Sequence, residues 1–171
     1  MSKVYVGDSP IQGKGVFAKV NIAKGEPILK ADDSHVVDET HPLRPELGEY
    51  EYHTDFIGGN ITVLWQEPEK YTNHACDPNT FVKTINGARY VIALRPIAAG
   101  EEITFDYRIN GRGEYVWECG CGSPRCLKTL DSDFFKMPLD LQLEYLVLLD
   151  DWFLAEEAPK IEQLLQQGLT R

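Results

Sequence analysis

The sequence lacks any apolar run long enough to cross a membrane, and nothing at its start is typical of a signal peptide. Its first three residues are followed by alternating rather than continuous apolar positions. We therefore expect a soluble, intracellular protein without membrane contact, and the sequence does not distinguish nucleus from cytoplasm. The 171 residues suffice for one main domain with a real core.

Positive charge is also scarce. The chain has 17 Lys and Arg residues against 27 Asp and Glu residues, a net charge of −10. A nucleic acid backbone would repel such a protein, whereas lysine-rich polypeptides would be attracted to it. The charge therefore predicts a basic protein partner and no direct nucleic acid contact, although negative charge also aids solubility in general. Oligomeric state stays open.

Cysteine is limited to four residues, and their spacing is informative. Cys119, Cys121 and Cys126 form C-x-C-x4-C, while Cys76 lies in the segment NHACDPN at residues 73–79. In a reducing compartment such cysteines are reduced or metal-bound more often than paired in disulfides. The pattern favours one zinc site that ties a C-terminal segment to a mid-chain loop.

Short β-rich segments separated by turns fill most of the chain before Cys126. Asn86-Gly87 predicts a two-residue hairpin turn between strands at 81–85 and 88–94, because both positions tolerate positive φ. Gly58-Gly59-Asn60 predicts a second turn, between 52–57 and 61–65. Residues 22–28 and 97–103 resemble each other, each with a glycine turn that starts a strand.

After Cys126 the apolar spacing becomes helical. A first helix is expected from Leu139 onward, apolar on two sides through Trp152, which favours packing on the β domain or on a partner. A second helix is expected from about Pro159 to Gln167, with Gly168 as its C-terminal cap. The expected fold class is mainly β with a helical C-terminus.

Four motifs occur together in one order: GKGVFA at 13–18, NHACDPN at 73–79, GEEITFDY at 100–107 and the C-x-C-x4-C. In this order they resemble the SET-domain protein lysine methyltransferases, over roughly residues 3–128. The resemblance implies small curved β-sheets with a pseudoknot. It also implies a SET domain at 1–112, a post-SET zinc-binding segment at 113–130 and a helical extension at 131–171.

The resemblance implies S-adenosylmethionine as cofactor. The glycines at 13 and 15 let backbone approach a ligand closely. The cofactor contacts carried over by the resemblance are Lys14, Gly15, Val16, Tyr71, Asn73 and His74, with Leu127 as a wall of the adenine pocket or lysine channel.

Tyr107 matches the family's active-site tyrosine, which helps to orient a neutral lysine amine for in-line attack. An ordinary phenol is protonated at neutral pH and is poorly suited as a general base. Phe105 matches a position held by Phe or Tyr in the family, and Phe there implies di- or trimethylation. Tyr115 and Trp117 are further candidates for the substrate channel.

The resemblance also assigns Cys76, Cys119, Cys121 and Cys126 as one structural zinc site, since four thiolates leave no open position for substrate. The chain departs from the family pattern at several places. Ala75 replaces a usual serine, Lys128 a usual glycine and Lys70 a common arginine, and residues 29–33 lack a tyrosine that often forms an active-site wall.

Together these features predict an S-adenosylmethionine-dependent protein lysine methyltransferase acting on a basic protein such as a histone tail. A catalytically weak or inactive zinc-stabilised binding module is the alternative, favoured by the missing tyrosine and opposed by Tyr107 and Asn73. A zinc-ribbon nucleic acid binder conflicts with the negative charge and has no basic cluster to support it.

Overall fold

The fold was obtained as a computed structural model, which describes residues 2–113 and 115–169. Short strands dominate the first three quarters of the chain, and helices follow. The strands are β1 (Val4–Asp8), β2 (Lys14–Ala18), β3 (Pro27–Lys30), β4 (Val36–Val37), β5 (Thr54–Phe56), β6 (Thr62–Leu64), β7 (Asn73–His74), β8 (Thr80–Ile85), β9 (Ala88–Ala93), β10 (Glu102–Phe105), β11 (Val116–Glu118) and β12 (Thr129–Asp131). The helices are α1 (Leu139–Tyr145), α2 (Asp151–Glu156) and α3 (Ala158–Leu169). Single 3₁₀ turns lie at Pro45–Leu47, Glu51–His53, Glu69–Tyr71, Phe134–Lys136 and Leu146–Leu148.

The strands form small separate sheets, with the orders β1-β2-β10-β7, β3-β9-β8, β4-β6-β5 and β11-β12. Most neighbouring strands are antiparallel, but β10 pairs with β7 in parallel. That parallel pair sets Asn73 opposite Thr104 and His74 opposite Phe105. Two distant motifs of the sequence are therefore brought side by side.

Both predicted hairpin turns are confirmed. β8 pairs with β9 through Asn86 and Gly87, whose φ angles of 51° and 76° give the double positive φ of a type I′ turn. β5 pairs with β6 around Gly58-Gly59-Asn60. The predicted fold class, mainly β with a helical C-terminus, is confirmed.

The two similar segments at 22–28 and 97–103 lie against each other. Ile22 and Ile97 exchange both backbone hydrogen bonds, at N···O distances of 2.8 and 3.0 Å, and both side chains are buried. Within each turn a glutamate, Glu26 or Glu101, accepts a hydrogen bond from the backbone three residues earlier. The internal resemblance is therefore a local structural pair.

The C-terminal helices differ from the prediction in two ways. The first expected helix is divided, because Asp150 begins α2 as its cap and also accepts hydrogen bonds from Thr84 of β8. α3 continues to Leu169, so Gly168 lies inside the helix and does not cap it. A Cβ at Gly168 would lie 3.0 Å from Leu143, so glycine permits close packing of α3 on α1.

Two apolar cores meet at the β8–β9 sheet. The first, from the strands, centres on the fully buried Val16, Val63, Val91 and Ile103. The second core is formed by the helices. Three residues from the strand region of the same chain, Phe81, Leu94 and Ile109, pack against it. Burial of this second core fixes the helices on the β domain, one of the two alternatives that the sequence left open.

α2 also contacts the β5–β6 hairpin directly. Phe56 and Trp152 pack edge to face with ring centroids 5.4 Å apart, and the guanidinium of Arg112 lies over both rings. Glu156 accepts a 2.7 Å hydrogen bond from the Gly59 amide. A Cβ at Gly58 would lie 2.9 Å from the Trp152 ring, so this turn requires glycine for space as well as for its φ of 85°.

Candidate functional site

The four cysteines, though distant in sequence, form one cluster. The sulfur atoms of Cys76, Cys119, Cys121 and Cys126 all lie within 4.8 Å of one another, and the structure leaves all four as free thiols. The Cys76 and Cys119 sulfurs are 3.9 Å apart, and β11 and β12 hold the C-terminal three beside the end of β7. This thiol set can hold a metal ion and matches the ligands of a structural zinc site.

The thiols have different electrostatic surroundings. Burial, with the neighbouring thiols, raises the pKa of Cys76. Burial also opposes ionisation of Cys121, but hydrogen bonds from the Cys76 and Ser123 amides lower the pKa of that thiol to about 7. A buried cluster in which one thiol ionises near neutral pH favours a bound cation, because a metal ligand must be a thiolate.

His74 joins the cysteine cluster to the cavity above it. Its Nδ1 accepts a 3.1 Å hydrogen bond from the Tyr107 amide, which places the proton on Nε2, 3.3 Å from the Cys76 sulfur. Burial lowers the pKa of His74 to about 4, so the imidazole is neutral at neutral pH. Its ring also packs on those of Tyr107 and Trp117, each 5.2 Å away between centroids.

Asn73 holds the turn between β1 and β2. Its Nδ2 donates to the backbone oxygens of Gln12 and Lys14, at 3.2 and 2.9 Å, and to Oε1 of Glu102 at 2.8 Å. Among the described residues, its Oδ1 has no hydrogen-bond partner. The amide therefore fixes one wall of the cavity and keeps an acceptor for a ligand.

A cavity of about 550 Å³ lies between these elements. Six of the predicted cofactor and substrate residues line it, and so does Cys119 of the predicted metal site: Asn73, His74, Phe105, Tyr107, Tyr115, Trp117 and Cys119. It also extends past the β5–β6 hairpin to Trp152 of α2. One continuous space thus connects the Asn-His segment, the aromatic side chains and the C-terminal helices.

Five of the predicted cofactor contacts do not line this cavity: Lys14, Gly15, Val16, Tyr71 and Leu127. The Lys14 ammonium is 2.7 Å from Asp8 at the surface, and Val16 belongs to the core. Tyr71 donates its hydroxyl to Glu67 at 3.0 Å, and Leu127 is exposed. Gly15 faces Glu102, whose Oε1 would be 2.4 Å from an added Cβ, so a larger residue would displace this carboxylate from Ser9 and Asn73.

Tyr107 lies among aromatic rings at the cavity. Its ring centroid is 4.9 Å from that of Phe105 and 6.0 Å from that of Trp117. Its hydroxyl donates to the Thr72 carbonyl at 2.9 Å. Tyr107 is 39% exposed toward the cavity, but desolvation by the residues packed around it raises the pKa of this phenol, so it is protonated at neutral pH, in agreement with the argument against a general base.

Several buried polar groups near the cavity were not predicted. Asp106 and Arg108, both nearly inaccessible, form a bidentate pair on either side of Tyr107, at 2.8 and 2.6 Å. Asn79 donates to the Glu102 carbonyl and accepts from the Thr104 amide, which locks β10 in place. Asp106 and Asn79 lie inside two of the four sequence motifs. That position was the one feature of the sequence from which a role near the site could have been predicted.

A second unpredicted group surrounds Trp65, which packs 5.5 Å from Phe105. The Arg89 guanidinium lies 5.4 Å from the Trp65 ring and is paired with Asp33 and Asp55. These residues come from four separate segments of the chain. No local pattern in the sequence could have grouped them.

The chain belongs to the SET domain family, whose profile matches residues 13–108. Relatives include the H3 lysine-36 specific histone-lysine N-methyltransferase of Candida albicans, 34% identical over 140 residues, which covers 74% of this chain and 16% of that protein. Human histone-lysine N-methyltransferase 2B is 30% identical over 144 residues, covering 76% of this chain and 5% of that protein. The chain thus spans less than a fifth of the length of these relatives.

A solved structure supports the same fold. A candidate histone methyltransferase of Plasmodium falciparum, known from a crystal structure, matches with a TM-score of 0.51 and 26% sequence identity. The match covers 63% of this chain and 94% of the other chain. In the described part of the chain, no helix has the length and apolar composition needed to span a bilayer.

Proposed function

We propose that this protein is an S-adenosylmethionine-dependent protein lysine N-methyltransferase. The observation that carries the proposal is the parallel pairing of β7 with β10. This pairing brings Asn73 and Tyr107 to one cavity in a chain of the SET domain family. When bound, S-adenosylmethionine supplies an electrophilic methyl group on its sulfonium.

The cofactor would lie against the Asn-His segment. The unpartnered Oδ1 of Asn73 suits the ammonium of the cofactor, and Trp117 offers a flat apolar surface. Lys14, Gly15, Val16, His74, Tyr71 and Leu127 are proposed as further contacts. Of these, Gly15 and Val16 could contribute only through backbone, because the first has no side chain and the side chain of the second is buried in the core.

Tyr107 would orient the substrate amine. Its O–H is already donated to Thr72, so the lone pairs of the phenolic oxygen are free to accept an N–H of the amine. The nitrogen lone pair then stays directed at the methyl group, as in-line attack requires. Phe105, Tyr115 and Trp117 would form the channel, exclude water and disfavour the charged amine. Phe105 carries no hydroxyl to restrict the space around nitrogen, which supports di- or trimethylation.

Cys76, Cys119, Cys121 and Cys126 would hold one structural Zn²⁺ and fasten the segment at 113–130 beside the cavity. The substrate would be a basic protein, because the net charge of −10 attracts basic polypeptides. The names of the relatives favour histones and a nuclear location. We propose domain boundaries at 1–112, 113–130 and 131–171, with the last segment forming the helical extension.

The test is methyl transfer from labelled S-adenosylmethionine to a panel of basic proteins that includes histones. Tyr107→Phe should lower kcat by about a hundredfold, because the amine loses its orienting acceptor. It should leave cofactor affinity nearly unchanged. Failure of the native protein to bind the cofactor would rule out the enzyme, whereas binding without transfer to any protein would favour the inactive binding module.

A further inference from the structure

Glu69 is a buried carboxylate in the cavity wall with little to balance its charge. It is 3% exposed and lines the cavity. Its Oε1 accepts one hydrogen bond, from the Asp32 amide at 2.9 Å. In the described part of the chain, no donor reaches Oε2 and no Lys, Arg or His nitrogen lies within 4.0 Å. Because an unpaired buried charge is costly, this arrangement favours a cationic ligand.

The neighbouring cation is already neutralised. The Arg89 side chain is 7% exposed, makes a 2.6 Å contact with Asp33 and pairs with Asp55 as well. Asp55 and Arg89 line the same cavity as Glu69. Two cationic side chains line the cavity, Arg89 and Lys70, and Lys70 pairs with Glu67. Five carboxylates line it as well, from Glu51, Asp55, Glu69, Glu118 and Asp150, so the excess charge is negative.

Thr72 connects the turn that carries Glu69 to the aromatic residues. Glu69 begins this 3₁₀ turn, and the Thr72 amide that follows it donates to the Glu69 carbonyl at 2.9 Å. The Thr72 hydroxyl is buried without a hydrogen-bond partner among the described residues, and its carbonyl accepts from the Tyr107 hydroxyl. Glu69, Thr72 and Tyr107 all line the cavity, and hydrogen bonds link each to the next.

We infer that Glu69 is the anionic contact for the ammonium group of the incoming substrate before it loses its proton, whereas the neutral amine that attacks the methyl group lies at Tyr107; that this cation is a lysine rests on the function proposed above. The carboxylate holds the backbone of Asp32, in the segment that lacks the tyrosine common in the family. A carboxylate accepts N–H donors, so it binds unmodified, mono- and dimethylated lysine. A trimethylated product keeps its positive charge but has no N–H to donate, so it loses the hydrogen bond to Glu69.

The test uses n-butylammonium chloride, which has the length of a lysine side chain, and 1-butanol as a neutral probe of the same size. Dissociation constants from NMR titration of the full chain should show the native protein binding n-butylammonium about tenfold more tightly than 1-butanol, since hydrogen bonds to charged groups contribute this much. Amide shifts should centre on Thr72 and Phe105. Glu69→Gln should abolish the preference, while its amide oxygen keeps the Asp32 contact and the fold.

Glu67→Gln is the matched control. It removes the same charge two residues away, from a side chain that is 62% exposed and pairs with Lys70, and it should leave the preference intact. Equal binding of both probes by the native protein, or an unchanged preference in Glu69→Gln, would overturn the assignment. Methyl transfer without any probe preference would refute only the role of Glu69. A probe preference in a protein that transfers no methyl group would leave a cation site and refute the proposed enzyme.

Discussion

Replacement of Asn73 tests whether its hydrogen bonds keep the turn at 12–14 in the conformation that binds the cofactor. Nδ2 of Asn73 has two hydrogens and three acceptors: the carbonyls of Gln12 and Lys14 and the carboxylate of Glu102. Asn73→Ala removes all of these bonds. Asn73→Asp also removes them, and it places a second carboxylate beside Glu102.

The magnitude follows from these contacts. One neutral and one charge-assisted hydrogen bond contribute about 2–4 kcal/mol together, and the partial exposure of Asn73 favours the lower end. About 2 kcal/mol corresponds to a roughly 30-fold weaker affinity for S-adenosylmethionine in Asn73→Ala. Asn73→Asp keeps an oxygen for the ammonium of the cofactor but adds repulsion from Glu102, on the order of a few kcal/mol before screening by solvent, so it should unfold at a lower temperature than Asn73→Ala.

Isothermal titration calorimetry with S-adenosylmethionine measures these affinities, and thermal unfolding reports whether each variant is folded. Asn21→Ala is the control, because Asn21 also fixes a turn, through the Ala99 amide at 2.9 Å, on a surface remote from the cavity lining. Its affinity should stay native. If Asn73→Asp unfolded at the same temperature as Asn73→Ala, the electrostatic argument would be wrong.

Three further changes have defined outcomes. Cys76→Ser should reduce total zinc, measured by plasma emission, from about one ion per chain to a small fraction and weaken cofactor binding with it; retention of one ion would refute the four-thiol site. Phe105→Tyr should shift products toward monomethyl lysine in mass spectra, and an unchanged ratio would remove the argument for di- or trimethylation. Phe153→Ala should lower the free energy of unfolding by about 3–5 kcal/mol in urea titrations, because the ring is fully buried against Phe134 and Phe135; a loss below 1 kcal/mol would mean that the helical core is not part of the folding unit.

Local sequence rules predicted the hairpins well. At Asn86-Gly87 the turn geometry depends on the two residues themselves, so sequence suffices. The division between α1 and α2 depends on Asp150, whose carboxylate also bonds to Thr84, 66 positions away. No periodicity in residues 139–152 carries that information. Gly168 likewise has the sequence position of a helix cap. Only its packing against Leu143, which the sequence does not show, explains why glycine is needed inside the helix.

Of the site residues, the sequence predicted only those that lie in or next to the four motifs. Cys76, Asn73 and Tyr107 were identified because they stand in segments that resemble the family. Glu69 stands just before such a segment. Only its contact with Asp32 and its position in the cavity wall identify it as a candidate site residue. Whether a charged side chain is buried depends on tertiary packing, and neither the composition of the chain nor the spacing of its motifs gives that information.

The contact between α2 and the β5–β6 hairpin bears on selective inhibition. The family profile ends at residue 108, yet Trp152 lines the same cavity as Tyr107 and packs on Phe56. A compound that reached from Tyr107 to Trp152 would contact surface contributed by residues beyond the shared domain. Such a compound would distinguish this protein from family members that lack an equivalent of Trp152.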